Sequence, residues 1–251
     1  MNEQKSTNPI LRTKAFEMMH STDLGGIMTL NGVIGKSFLL ILITAVTAYF
    51  SWGFIEEKLM TNPNFNVSIY LWVSVIAAFI LALVISFKPN IAPFASPVYA
   101  VLEGLFLGII SMFFEAMYPG IATQAIMGTM GVFLAMLALY RFRIIKVTDR
   151  FKSVVFGATL GIAILYGVSI LLSFFNIDIP FIHEGGWLGI GFSVFVVGIA
   201  ALNLAIDFDF IETQIERGAN KNMEWYAAFG LLVTLVWLYL EILRLLSKIR
   251  D

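Results

Sequence analysis

Seven stretches of this 251-residue chain stay apolar for about the twenty residues that a helix needs to cross a bilayer. Inside lipid each backbone N–H and C=O must be satisfied within the segment, so such runs form helices. The spans read at about 35–55, 68–87, 97–117, 123–141, 153–175, 187–206 and 225–246. Glu56-Glu57-Lys58 and Asn62-Pro63-Asn64 close the first, and Lys88-Pro89-Asn90 with Pro93 to Pro97 separates the second from the third. Pro119-Gly120 turns the third into the fourth, and the cationic 141–152 segment divides the fourth from the fifth. The stretch from Asn176 to Gly186, with Pro180, separates the fifth from the sixth. The expected fold is an all-α integral membrane protein of seven transmembrane helices, with residues 1–33 as an N-terminal arm and 34–251 as the membrane domain.

Composition agrees, since only 13% of residues are charged and 59% are hydrophobic, against about 25% charged in a soluble domain. The chain has no cysteine, which excludes disulfides, iron–sulfur clusters and Cys-ligated zinc. His20 and His183 each lack a second histidine at metal-binding spacing. There is no Gly-rich phosphate loop with a lysine, no nucleophile elbow and no HExxH, so no enzyme is expected. A net charge of −1 offers nucleic acid no basic footprint.

Cytoplasmic loops carry the excess of Lys and Arg. With the N-terminus inside, Lys5, Arg12, Lys14, Lys36, Lys88, Arg217, Lys221 and the five cations of the 141–152 segment all lie on that side, and Lys58 alone occupies an outer loop. Arg244, Lys248 and Arg250 violate the rule if the seventh segment crosses fully. The expected setting is a bacterial inner or equivalent membrane with a cytoplasmic N-terminus. The pairs Gly104–Gly108 and Gly157–Gly161 have the spacing that lets helix backbones approach closely in lipid.

A charge at mid-bilayer costs at least about 3 kcal/mol, so intramembrane acids need a reason. The candidates are Glu103 in the third span, Asp207, Asp209 and Glu212 at the end of the sixth, and Glu241 in the seventh. Glu115, beside the Pro119 turn, reads as interfacial. In helical projection Asp207 shares a face with Asn203, Ala200, Val196, Ser193 and Gly189, a small-and-polar stripe that suits a helix contact. Asp209, Glu212 and Glu216 fall on the opposite face, where Arg217 and Lys221 could neutralise them. Glu103 sits at a depth comparable with Asp207 and could meet the sixth-span acids, or remain a single hydrogen-bonded glutamate. Two adjoining carboxylates cannot both ionise cheaply and titrate as a unit. A shared proton, or a Ca2+ held transiently by oxygens of Asp207, Asp209 and Glu103, would then open or close a path. On the seventh segment Gly230, Thr234, Trp237, Glu241, Arg244 and Lys248 form a polar stripe, within which Glu241 and Arg244 could pair at i,i+3. Such a seam suits a central helix, with Trp225 and Tyr226 anchoring its inner end.

The stretches SPVYAVLEGLFLGIIS (96–111), ALNLAIDFDFIE (201–212) and MEWYAAFGLLVTLVWLYLEILRLL (223–246) resemble the Bax inhibitor-1/YccA family, the transmembrane Bax inhibitor motif proteins, in its bacterial branch. The resemblance implies a bundle with the seventh helix surrounded by the other six, pH-sensitive calcium leak, and suppression of cell death in eukaryotic relatives. A bacterial relative is linked to a membrane-bound ATP-dependent protease as substrate and modulator. The family's proposed sensor is an aspartate pair on the sixth and seventh helices. The sixth-helix acid, usually followed by Thr-Gln, corresponds to Glu212, or in a shifted register to Asp209 or Asp207. The seventh-helix position is Thr234, a departure from the paired-acid latch, and Glu103 is the substitute partner. The expected function is therefore a proton-modulated calcium or cation leak channel or transporter, with Ca2+ and H+ as its ions and no resident cofactor. The alternative is a non-transporting membrane modulator or substrate of that protease, acting through its N-terminal arm. The oligomeric state, the ion and its direction stay open at this level.

Overall fold

Apolar side chains all round a segment favour helix in lipid, and seven helices long and apolar enough to cross a membrane form here. The computed structural model describes residues 26–62, 64–173, 175 and 186–250. His20, His183 and residues 1–25 of the expected arm lie outside these. The helices are α1 (Leu30–Thr61), α2 (Val67–Phe87), α3 (Ala92–Met117), α4 (Ile121–Arg141), α5 (Asp149–Ser173), α6 (Trp187–Glu216) and α7 (Met223–Arg250), with a short 3-10 turn at Pro89–Ile91. Among the described residues the extended pairing is a single antiparallel bridge, Ile27 with Asn220.

Three helices outrun their apolar spans by about five residues or more at one end. α1 carries on through Glu56, Glu57 and Lys58 and stops before Pro63, because long charged side chains are good helix formers while the residue ahead of a proline is not. α3 begins at Ala92 rather than near residue 97. Pro93 occupies its first turn, where a missing N–H costs nothing, and only Pro97 interrupts the ladder. α6 continues ten residues beyond the expected limit, so Asp207, Asp209 and Glu212 are all helical and none terminates it.

α7 is the most buried of the seven and stands at the centre. It packs directly against α1, α3, α4 and α6, while α5 reaches it through the Tyr166 side chain and α2 lies outside against α3. Of the six surrounding helices that the resemblance implies, α1, α3, α4 and α6 make the main backbone contacts with α7 among the described residues. One end of the bundle gathers Lys36, Lys88, the 141–152 cations, Arg217 and Lys221; we call it the basic end and its opposite the distal end. Trp225 and Tyr226, read from sequence as anchors of the inner end of α7, are partly buried against the central core. Glu115 is not simply solvated. Its carboxylate accepts the N–H groups of Gly120 and Ala122 and so caps α4, with Gly120 at φ 82 making the turn.

The cations at the distal end of α7 are each engaged. Arg244 bonds Glu241 at 2.8 and 2.9 Å, Lys248 donates to the Gly189 carbonyl at 3.2 Å, and Arg250 donates to the Pro119 carbonyl and the Gln124 side chain. The charge excess that offended the loop rule is drawn into internal bonds.

The two glycine pairs behave differently. A Cβ at Gly104 would lie 2.6 Å from the Thr44 carbonyl and from Thr47 Cβ, and one at Gly108 would lie 2.9 Å from Ser51 Cβ. α1 and α3 therefore touch backbone to backbone, helped by Thr44 donating to the Ala100 carbonyl and Ser51 to that of Leu105. Nothing lies within 4 Å of a Cβ at Gly157 or Gly161, so the second pair makes no helix contact among the described residues. Gly104→Ala should then cost about 1–3 kcal/mol through overpacking, seen as a lower unfolding temperature in detergent. Gly157→Ala and Gly161→Ala should leave that temperature unchanged or slightly raised. Equal losses at all three sites would contradict the assigned contacts.

Candidate functional site: the acids of the bundle

The small-and-polar stripe of α6 lies inside the protein. Gly189, Ser193, Val196 and Ala200 are buried, and Asn203 and Asp207 continue the same face. Asn203 donates to Thr159 of α5 at 2.9 Å and to the Ile199 carbonyl. The Asp207 carboxylate lies beside the Thr234 side chain of α7, and its Oδ2 is shielded from solvent with no partner among the described residues. An unpaired carboxylate oxygen in such a place is unusual, since buried polar atoms are nearly always satisfied. Thr234, the position at which the family resemblance expects an aspartate, is thus the residue that faces Asp207. The single proton of its hydroxyl goes to the Gly230 carbonyl one turn earlier, at 3.3 Å.

Asp209 and Glu212 have other neighbours. Lys152 of α5 meets Asp209 at 2.7 Å, and Arg143 meets Glu212 at 2.8 Å, with the Tyr140 hydroxyl also on Glu212. Arg217 and Lys221, the partners expected from sequence, are instead exposed on the α6–α7 turn. Spacing along the chain favoured them, but α6 presents this face to the α4–α5 turn and to α5, which supply the nearer cations Arg143 and Lys152.

Glu103 lies beside Tyr99, one turn back on its own helix, and Tyr99 stacks edge-on against Phe229 of α7 at 4.9 Å. Its interactions therefore run along the α3 side of α7, whereas Asp207 meets α7 through Thr234. Among the described residues no three Asp, Glu or His side chains converge as a metal site. The expected grouping of Asp207, Asp209 and Glu103 around one Ca2+ is accordingly not formed. Depth along the bundle normal had suggested it, but equal depth does not bring α3 and α6 together when α7 stands between them.

The most buried acid at the basic end is absent from the candidates that sequence suggests. Glu224, 1% exposed at the start of α7, forms an ion pair with Lys36 of α1. Its Oε1 also accepts from Thr29 N at 2.9 Å and from Thr29 Oγ1 at 3.0 Å. Thr29 caps α1 through Gly32 N at the same time, and the carboxyl of Glu224 fills the space that a side chain at Gly32 would need. Met28 N bonds the Ala219 carbonyl, and Lys221 N the Gly26 carbonyl, so the chain entering α1 is stitched to the α6–α7 turn. The available signal was Lys36 itself, a cation four residues past Gly32 in an apolar run, which demands an acid partner.

At the distal half, Glu241 is 2% exposed and accepts from Arg244, from the Tyr166 hydroxyl at 3.1 Å and from Trp237 Nε1 at 3.3 Å. Arg244 in turn donates to Tyr166 at 2.7 Å and lies over its ring. The i,i+3 pairing read from sequence is present, with a tyrosine from α5 closing the triangle. Ile162, Val196 and Ile199, with Trp237 and Tyr166 packed on them, fill the space between this cluster and the Asn203–Asp207 level.

Against known families, residues 8–251 match the proteins described as Bax inhibitor 1 like. No curated protein matches the chain.

The buried ion pair yields a measurable outcome. Lys36→Met, which strands Glu224 as an unpaired buried charge, should destabilise the folded protein by about 3 kcal/mol or more. The double variant Lys36→Met/Glu224→Gln should recover most of that loss in the same detergent melt. A double variant as unstable as the single one would show that the charges themselves contribute little.

Proposed function

The chain belongs to the Bax inhibitor 1-like family, and on that premise we propose that this multi-pass membrane protein is a pH-sensitive calcium or cation leak pathway, in which Asp207 is the proton-responsive group. The observation that carries the reading is the Asp207 carboxylate, which has one oxygen toward Thr234 and the other without a described partner on the buried polar face of α6. A proton or a passing cation satisfies that oxygen, and each does so at the expense of the other. Ca2+ prefers six or more oxygens, and Asp207, Thr234 and Asn203 offer few, which suits transient contact rather than storage. In a pair of acids one carboxylate is relieved by the other's proton. Here the partner is a neutral hydroxyl, so a single group responds.

The setting proposed is a bacterial inner membrane with the basic end cytoplasmic, as the distribution of Lys and Arg favours. Asp209 and Glu212 act in this reading as charged ties to α5 and α4, and not as the sensor. Glu103, beside Tyr99 on α3, is not required for it.

The protein should be purified, reconstituted in liposomes and assayed for Ca2+ flux between acidic and neutral pH. Wild type should conduct with a pH-dependent rate, and Asp207→Asn should flatten that dependence while leaving flux measurable. Asp209→Asn and Glu212→Gln should change amplitude but keep the pH profile. Absence of flux at every pH, or an unaltered profile in Asp207→Asn, would overturn the assignment.

A further inference from the structure

α5 is among the least buried of the seven helices and packs its backbone chiefly against α6. Its inward face follows a seven-residue rhythm. Val155, Ile162 and Ser169 are buried at one set of positions, and Lys152, Thr159 and Tyr166 occupy the other. Two faces repeating at this interval form one continuous seam along a helix. Each residue of the second row is engaged at a different level. Lys152 pairs with Asp209 at 2.7 Å, Thr159 accepts from Asn203 at 2.9 Å, and Tyr166 joins Glu241 and Arg244. Lipid supplies no hydrophobic drive for helices to associate, so contacts of this kind and close packing must hold α5 in place. Close packing is sparse, because only Val155, Ile162 and Ser169 of α5 are buried, and the exposed Gly157, Gly161 and Gly167 add no backbone contact on the other side.

We propose that α5 is the moving gate of the bundle, latched over the α6–α7 seam by Lys152, Thr159 and Tyr166, with Tyr166 as the distal latch. The proposal rests on the reading that this seam carries cations past Asp207. With α5 in place, Ile162 presses on Val196 and Ile199, and this apolar layer separates Asn203 and Asp207 from Glu241. With α5 displaced, the layer opens, and the polar residues of α6 and α7 line one continuous path. Thr234 and Glu241 lie two helical turns apart on the same face of α7, about 10 Å along its axis, so an ion passing Asp207 next meets the Glu241–Arg244 pair. Tyr166 is the side chain that both accepts from Arg244 and donates to Glu241. Removing its hydroxyl loosens α5 from α7 without stranding a charge, because Arg244 and Glu241 still satisfy each other.

The natural absence of cysteine allows a direct test on the full chain. Val196→Cys places a thiol at a fully buried position of the apolar layer. Its rate of modification by a small methanethiosulfonate in liposomes reports how often the layer opens. Adding Tyr166→Phe should raise that rate about tenfold, the effect of losing the hydrogen bonds of one hydroxyl. Adding Tyr239→Phe, which removes the 2.7 Å bond to Ser111 between α7 and α3, should leave the rate unchanged. A separate pair in the apolar layer, Ile162→Cys with Ile199→Cys, bridged by a short bifunctional thiol reagent, should suppress Ca2+ flux, and release of the bridge should restore it. Equal labelling with and without Tyr166, or equal acceleration by both tyrosine variants, would overturn the gate. If labelling accelerates as expected in a protein that shows no flux, α5 moves and the leak reading fails. If flux is present and indifferent to both Tyr166→Phe and the bridge, the leak reading stands and the gate fails. Should Tyr166→Phe not fold, Lys152→Met provides the same labelling comparison at the other end of the helix.

Discussion

A helix that carries Glu224, Glu241, Arg244 and Lys248 cannot face lipid, and the rest of this bundle is organised by that constraint. Each charge must be met inside the protein, because a lone ion in hydrocarbon costs far more than any single helix contact returns. α1 supplies Lys36 and Thr29 to Glu224, α5 supplies Tyr166 to Glu241 and Arg244, and α6 supplies the Gly189 carbonyl to Lys248. The central place of α7 follows from these bonds as much as from its apolar surface. The close approach of α1 and α3 at Gly104 and Gly108 completes the wall on the other side.

The polar contacts divide into two kinds. Glu224 and Glu241 are saturated, each with several donors, and behave as structural anchors near the two ends of α7. Asp207 lies between them and is undersatisfied. A protein that kept this arrangement for stability alone would gain by replacing Asp207 with a neutral side chain, which is the reason for assigning it the responsive role. In the proposed reading Thr234, where the resemblance implies an acid, leaves Asp207 as the single responding group. One carboxylate beside a hydroxyl can still exchange a proton for a cation, although without the cooperativity of a coupled pair.

Helical phase in the sequence was enough to separate Asp207 from Asp209 and Glu212, and the face bearing Asn203 and Asp207 is indeed inside the bundle. Family membership and seven apolar helices were equally legible. The partners were not. Arg217 and Lys221 are near Glu212 along the chain, yet Arg143 and Lys152 reach these acids across helix boundaries. Glu224 carries no local sign of burial because it stands one residue inside its helix, where an acid ordinarily complements the helix dipole in water. Its burial depends on the strand-like pairing of Ile27 with Asn220, which no local pattern encodes.

The chain alone determined its helices, their number and the inward polar face of α6 and α7, because in lipid the backbone must bond to itself and a polar stripe must then turn away from the hydrocarbon. Only the tertiary structure decided which polar face meets which. Depth placed Glu103 and Asp207 at a similar level, but lateral position put α7 between them, and Thr234 rather than Glu103 came to face Asp207. The same lateral arrangement put Tyr166 over Arg244 and Lys152 beside Asp209. A helix's own sequence fixes rotation and length through short-range bonding, whereas its neighbours are set by the combined packing of all seven, and that sum is not written in any one of them.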